Sequence, residues 1–174
     1  MSSGLLLLVR LIHIVIGVFW VGAVAFIAFF LIPSVRSIGP AGGALMQQLT
    51  QIRRMPAWLT GAGVLTMLAG LLLYWHDSGG FGSVEWMRSG PGVTFGLGAL
   101  LAIAGTGFGT AVNAPAAREL GAIMARAQAA GAPPSDADLA VVQRLQARLA
   151  WGAQASAVLL LLAAAAMSVA RYVG

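Results

Sequence analysis

Four long apolar runs constrain this chain more than any other feature of its sequence. They lie at about residues 5–32, 57–75, 92–113 and 149–171. Each has the roughly 20 residues that an α-helix needs to cross the hydrocarbon core of a bilayer. Only 9% of the residues are charged, whereas a soluble domain has about a quarter. We therefore predict an all-α integral membrane protein, a single transmembrane domain (1–174) folded as an antiparallel, up-down four-helix bundle within a lipid bilayer.

The segments between the apolar runs predict how the helices are joined. Pro33 is expected to end the first helix, because proline lacks an N–H and clashes with the preceding turn. Residues 34–55 predict an interfacial connector that contains a short amphipathic helix. Residues 114–148 predict a helical hairpin outside the membrane, in which Ser135 caps the fourth helix. We thus expect the third and fourth helices to extend into the cytoplasm.

The arginines predict which side of the membrane is cytoplasmic. With four crossings, both termini share one side with the loop between the second and third spans. The arginines of that side are Arg10, Arg88 and Arg171. Those of the opposite side are Arg36, Arg53, Arg54, Arg118, Arg126, Arg144 and Arg148. Because positive charge accumulates on the cytoplasmic side, both termini are expected in the periplasm or outside the cell. The net charge of +5 thus reflects topology, and no nucleic-acid partner is expected.

The absence of cysteine and lysine narrows the possible chemistry. Without cysteine the chain has no disulfide, thiolate metal site, iron–sulfur cluster or thiol nucleophile. Without lysine it has no Schiff-base residue. The sequence also has no phosphate-binding glycine loop, serine triad or paired intramembrane carboxylates. We therefore assign no catalytic residue, leave open whether the chain is an enzyme, and expect any redox chemistry to come from a bound cofactor.

His13 is the strongest candidate for a functional residue. It lies one turn inside Arg10, and an ionisable side chain at that depth is a functional candidate by default. Gly17 and Trp20 follow four and seven residues later, so the three share one helical face. Gly17 is expected to leave a gap beside the imidazole in which a flat ring can lie.

Two other side chains are expected near the same membrane face. In antiparallel helices the end of the second span returns to the level of the start of the first, which brings His76 there. Met167 lies one turn inside Arg171 on the fourth helix. Ligation of haem b by two histidines, or by histidine and methionine, is chemically reasonable, and Arg10 or Arg171 could pair with the propionates. His13, His76 and Met167 are therefore the predicted metal ligands.

Ordinary structural roles account for the same residues. A histidine near a membrane end often hydrogen-bonds to a neighbouring helix or to water. His76 beside Asp77 is typical of a solvated loop, and Met167 within an alanine run is typical of helix packing. Polar side chains inside the spans could line a quinone pocket, but they more often bond between helices. They are Thr66, Thr106 and Gln154.

The sequence of residues 11–22, LIHIVIGVFWVG, resembles the first helix of bacterial membrane proteins related to the copper-resistance protein D family. Those helices have leucine or isoleucine, histidine, six apolar residues, tryptophan, any residue and glycine. The segment is also similar to the first helix of haem-containing protoporphyrinogen oxidases, in which the histidine is a haem ligand. The resemblance implies haem binding at His13 and a location in the bacterial inner (plasma) membrane. Those oxidases also use a lysine that this chain lacks, so oxidase activity is not implied.

Three hypotheses of function follow. The first is a small membrane protein that binds b-type haem and acts in electron transfer, with His13 as an axial ligand and quinone as a partner. The second is a non-catalytic accessory or scaffold subunit, which packs against another copy or a partner membrane subunit through Gly98, Gly105 and Gly109. The third is copper handling.

Overall fold

Four long helices dominate the fold. The computed structural model describes the backbone of residues 1–173, and all of their side chains except that of Pro40. The long helices are α1 (Ser3–Ser37), α3 (Met55–Asp77), α5 (Gly90–Ala129) and α6 (Asp136–Val169). The short ones are α2 (Pro40–Gln47), which continues into a π-helical turn (Gln48–Ile52), α4 (Val84–Arg88) and a final 3-10 turn (Ala170–Tyr172). Each long helix is long and apolar enough to cross a membrane, which confirms the all-α, multi-pass prediction.

The long helices pack as a ring in which each contacts the helices before and after it in the chain. The α5–α6 interface is the most extensive and the α1–α3 interface the next, while α1 also contacts α6 and α3 contacts α5. The result is a four-helix bundle. Which of its ends is cytoplasmic stays a prediction.

Pro33 does not end the first helix, so that expectation is wrong. A π-helical turn, Ile27–Leu31, precedes the proline, and the helix then continues to Ser37. In this turn the N–H of Ile32 bonds to the carbonyl of Ile27, five residues back. The extra residue widens the turn next to the proline ring, which relieves the clash that would otherwise break the helix.

Small residues allow α5 and α6 to approach closely. Gly98 packs against Met167, Gly105 against Leu159, and Gly109 against Ser156. Further along the same seam, Gly152 of α6 contacts the side chain of Asn113. Each step forward on α5 is matched by a step backward on α6, so the two helices are antiparallel.

The same seam continues as a conventional apolar core. Ala116 and Ile123 of α5 pack with Val142 and Leu145 of α6. Helix α5 passes through Pro115 without interruption. At the start of α6, the Ser135 hydroxyl accepts a hydrogen bond from the backbone N–H of Asp138 (3.2 Å), so the predicted cap is confirmed. This part of the hairpin is therefore held by side-chain packing of the soluble type.

Candidate functional site

His13 lies at the α1–α3 interface and is half-buried. Its Nδ1 is 2.8 Å from the backbone carbonyl oxygen of Thr66. A carbonyl can only accept, so Nδ1 carries the proton and donates, and Nε2 of the neutral ring is left with a free lone pair. Within residues 1–173, Nε2 has no hydrogen-bond partner. The imidazole is thus fixed in one tautomer, and its Nε2 lies 3.6 Å from the position that a Cβ would take at Gly70 of α3.

Two glycines of α3 leave space for the rings of His13 and Trp20 on α1. A Cβ at Gly70 would lie 2.7 Å from Cε1 of His13, and one at Gly63 would lie 2.8 Å from Cε2 of Trp20. Real Cβ atoms do not approach so closely, so both rings occupy space that only glycine leaves open. Trp20 is 6% exposed. The face that carries His13 and Trp20 is therefore the packing face of α1.

The gap expected at Gly17 is absent, and that expectation is wrong. The methyl carbon Cγ2 of Thr66 lies 3.2 Å from the position a Cβ would take at Gly17. The space next to Gly17 is thus filled by Thr66 of α3, and a flat ring cannot lie between Gly17 and α3. Gly17 faces inward because it shares the His13 face, which is the face α3 covers.

His76 lies near the end of α3 and is displaced along the bundle axis from the level of His13. The α1–α3 pairing sets Gly70 beside His13, and His76 lies six residues further along, about 9 Å at 1.5 Å per residue. Its Nδ1 is 3.2 Å from Oδ1 of the adjacent Asp77. His76 therefore shares the α1–α3 end of the bundle with His13, but at a different depth.

Met167 packs in the α5–α6 seam. Its Cγ and Cε lie 2.7 and 3.1 Å from the position a Cβ would take at Gly98, so the thioether fills the notch above that glycine. Arg10 is half-buried on α1, and Arg171 is exposed in the final 3-10 turn. Among residues 1–173, no three histidine, cysteine, aspartate or glutamate side chains come together as a metal site.

The glycines assigned to an external partner surface pack inside the chain. Gly98, Gly105 and Gly109 all contact α6, because they lie on the face of α5 that its neighbour covers. The scaffold hypothesis had used these glycines as its contact surface. Their small size is explained by the α5–α6 seam alone.

No family model, curated protein or solved structure matches the chain. The likeness of residues 11–22 to a known first helix thus concerns those residues only. The arrangement of His13 is nevertheless the one common for ligating histidines, in which the second ring nitrogen donates to a backbone carbonyl.

Three buried polar side chains of residues 1–173 lack a hydrogen-bond partner, among them Thr66, which the sequence marks as a polar residue inside a span. Within the described chain, Thr66 Oγ1, Ser156 Oγ and Asn113 Oδ1 are buried without a hydrogen-bond partner. By contrast, Thr106 donates to the carbonyl of Ala102 in its own helix (2.7 Å), and Gln154 is exposed on the bundle surface. In the sequence, Gly63, Thr66 and Gly70 follow one another at intervals of three and four residues, which places them on one face of α3. This is the face that packs against α1.

Proposed function

We propose that this small multi-pass membrane protein binds a b-type haem through Nε2 of His13 and takes part in electron transfer within the membrane. The observation that supports this most is the 2.8 Å contact of His13 Nδ1 with the Thr66 carbonyl. It fixes the ring and its tautomer, and a donor bond of this kind raises the basicity of the other nitrogen. The haem, when bound, supplies the one-electron chemistry.

The other predicted ligands fit less well than His13. His76 lies about 9 Å along the bundle from the His13 level, and Met167 fills the Gly98 notch. Neither side chain therefore lies beside His13. In one copy of the chain His13 alone would hold the iron, which would supply one-electron chemistry.

Arg10 is positioned to assist His13. It lies three residues earlier on α1, a spacing that brings the two side chains to neighbouring positions on one helical face. A guanidinium there can pair with a propionate. Arg10 would thus orient the haem edge toward the head groups, while lipid and the apolar helices keep water from the ring. A membrane quinol is the electron donor that reaches such a site by diffusion in the bilayer.

The test is the visible absorption spectrum of the protein purified after expression with sufficient haem precursor. We expect a Soret band in the wild type, its loss in His13→Ala, and its retention in the matched variant His76→Ala. Addition of a short-chain quinol should then reduce the haem. A wild-type protein without a Soret band, or a His13→Ala variant that retains it in full, would contradict the proposal.

Accessory-subunit and copper-handling roles remain hypotheses. No feature of residues 1–173 favours either over haem binding at His13.

A further inference from the structure

Two apolar grooves lie side by side along the α1–α3 pair. The first, about 470 Å³, runs between α1, the connector and α3, and its lining includes Phe26, Leu45 and Leu49. The second, about 580 Å³, runs along α1 and α3 past Ile16 and Leu65. Phe19 and Trp58 line both grooves and therefore stand between them.

Each groove has one arginine at the same end. Arg53 lines the first groove and Arg54 lines the second. Both side chains are exposed, and neither pairs with a carboxylate within the described chain. Residues 34–55 contain no aspartate or glutamate. This end of the grooves therefore has two free positive charges and no competing negative one.

The second groove is as long as one leaflet. Its lining extends from Arg54, just before α3, to Leu65 on α3, which is eleven residues or about 16 Å of helix. Half of the hydrocarbon core of a bilayer is about 15 Å thick. An acyl chain whose head group lies beside Arg54 would therefore reach the end of the groove at the middle of the membrane.

We propose that the two grooves bind the two acyl chains of one anionic phospholipid, and that its phosphate pairs with Arg53 and Arg54. Guanidinium groups bind phosphate through paired hydrogen bonds. Trp58, which is 72% exposed and one turn beyond Arg54, lies between the chains near the head-group level, where indole rings are favoured. Two grooves and two charges suit a two-chain anionic lipid, whereas a quinone has one tail and a neutral head.

The head-group end of the lipid site is separate from the proposed haem site. Trp58 lies twelve residues from Gly70, which contacts His13, and this corresponds to about 18 Å along α3. The inner end of the second groove, at Ile16 and Leu65, lies one turn from His13. Substitutions at Arg53 and Arg54 therefore test lipid binding without changing the surroundings of His13, and His13→Ala leaves the arginines unchanged.

The first experiment measures lipid retention by native mass spectrometry of the full chain. Phosphatidylglycerol and phosphatidylethanolamine with identical acyl chains are offered in equal amounts. We expect one retained phosphatidylglycerol per chain, and a loss of affinity of roughly thirtyfold in the double variant Arg53→Gln/Arg54→Gln. The matched control, Arg144→Gln/Arg148→Gln on the hairpin, removes the same charge and should retain the lipid.

A second measurement needs no change to the arginines. In proteoliposomes, fluorescence quenching by brominated phosphatidylglycerol should exceed quenching by brominated phosphatidylethanolamine, and the excess should vanish in Trp58→Phe but persist in Trp151→Phe. Equal retention of the two lipids, unchanged retention in the Arg53/Arg54 double variant, or displacement of phosphatidylglycerol by a neutral quinone would overturn the proposal. Binding of inorganic phosphate with no lipid selectivity would overturn it as well.

Discussion

The α1–α3 interface depends on two side chains of α1 and on two glycines of α3 that make room for them. His13 and Trp20 are seven residues apart, as are Gly63 and Gly70, and the pairs meet in antiparallel register. The imidazole adds a hydrogen bond to the Thr66 carbonyl. Interhelical bonds of this kind stabilise membrane helices by about 0.6 kcal/mol on average. Close packing of the two rings against the glycines adds to this bond.

Gly70→Ala tests this arrangement. The added Cβ would lie 2.7 Å from Cε1 of His13, so the ring must move and the contact with Thr66 must weaken. We expect a loss of about 1–3 kcal/mol in stability, the usual cost of overpacking. Thermal or SDS-induced unfolding in detergent measures it.

The control for Gly70→Ala is Gly61→Ala on the same helix, where a Cβ would have no other atom within 4 Å in the described chain. Alanine is the better helix former by up to about 1 kcal/mol, so this variant should be as stable as the wild type or more so. Equal destabilisation by both substitutions would show that the Gly70 notch has no special role.

The sequence indicated His13, Gly17 and Trp20 as one face, but it could not show what covers that face. An imidazole near a membrane end can face lipid, water or a neighbouring helix, and only the α1–α3 pairing decides among them. The same reason explains the error at Gly17. Glycine spacing on the first helix alone does not reveal that Thr66 of the third occupies the space beside it.

At the scale of helices, α5 and α6 form the most extensive interface of the bundle. The half within the predicted membrane spans is built on glycine and serine, and the half within the predicted hairpin on Ile123, Val142 and Leu145. Small residues suit the first because helices in lipid gain stability from close backbone approach. Branched apolar residues suit the second, as expected where burial from water supplies the stabilisation.

Gly105→Val tests the seam. The Cβ alone would lie 3.1 Å from Cβ of Leu159 and 3.3 Å from the carbonyl oxygen of Ser156, so α5 and α6 must separate. We expect unfolding to become easier by about 1–3 kcal/mol, measured by circular dichroism against SDS concentration. Gly107→Val, two residues away with open space around it, should cost less than about 1 kcal/mol, since only the backbone preference changes. Similar losses in the two variants would argue against the seam as described.

The start or end of a helix could be predicted from the sequence where the capping hydrogen bond joins residues within one turn. Ser135 caps α6 as its sequence context indicates, because the bond to Asp138 lies within one turn. Pro33 was misjudged because the rule that proline breaks a helix assumes regular α-helical bonds. The π-helical turn Ile27–Leu31 changes those bonds, and apolar side chains give no local signal for it.

At the scale of the whole molecule, the two proposed sites lie at opposite ends of the α1–α3 pair. The His13 site is near the N-terminal end of α1. The ends of the grooves that carry Arg53 and Arg54 are near the start of α3. The arginine distribution predicts that the first end faces outward and the second faces the cytoplasm. Under the two proposals, this predicted orientation sets the side on which the haem would exchange electrons and the leaflet that would supply the anionic lipid.

Cysteine labelling tests the membrane topology most directly, because the chain has no cysteine of its own. Single substitutions are made at exposed positions: Ser2→Cys, Glu85→Cys, Ser37→Cys and Ala132→Cys. In right-side-out membrane vesicles, a membrane-impermeant maleimide should label the first two variants at once, and the other two only after the membrane is opened. Labelling of all four from outside would contradict the four-crossing bundle, and the reversed pattern would contradict its orientation.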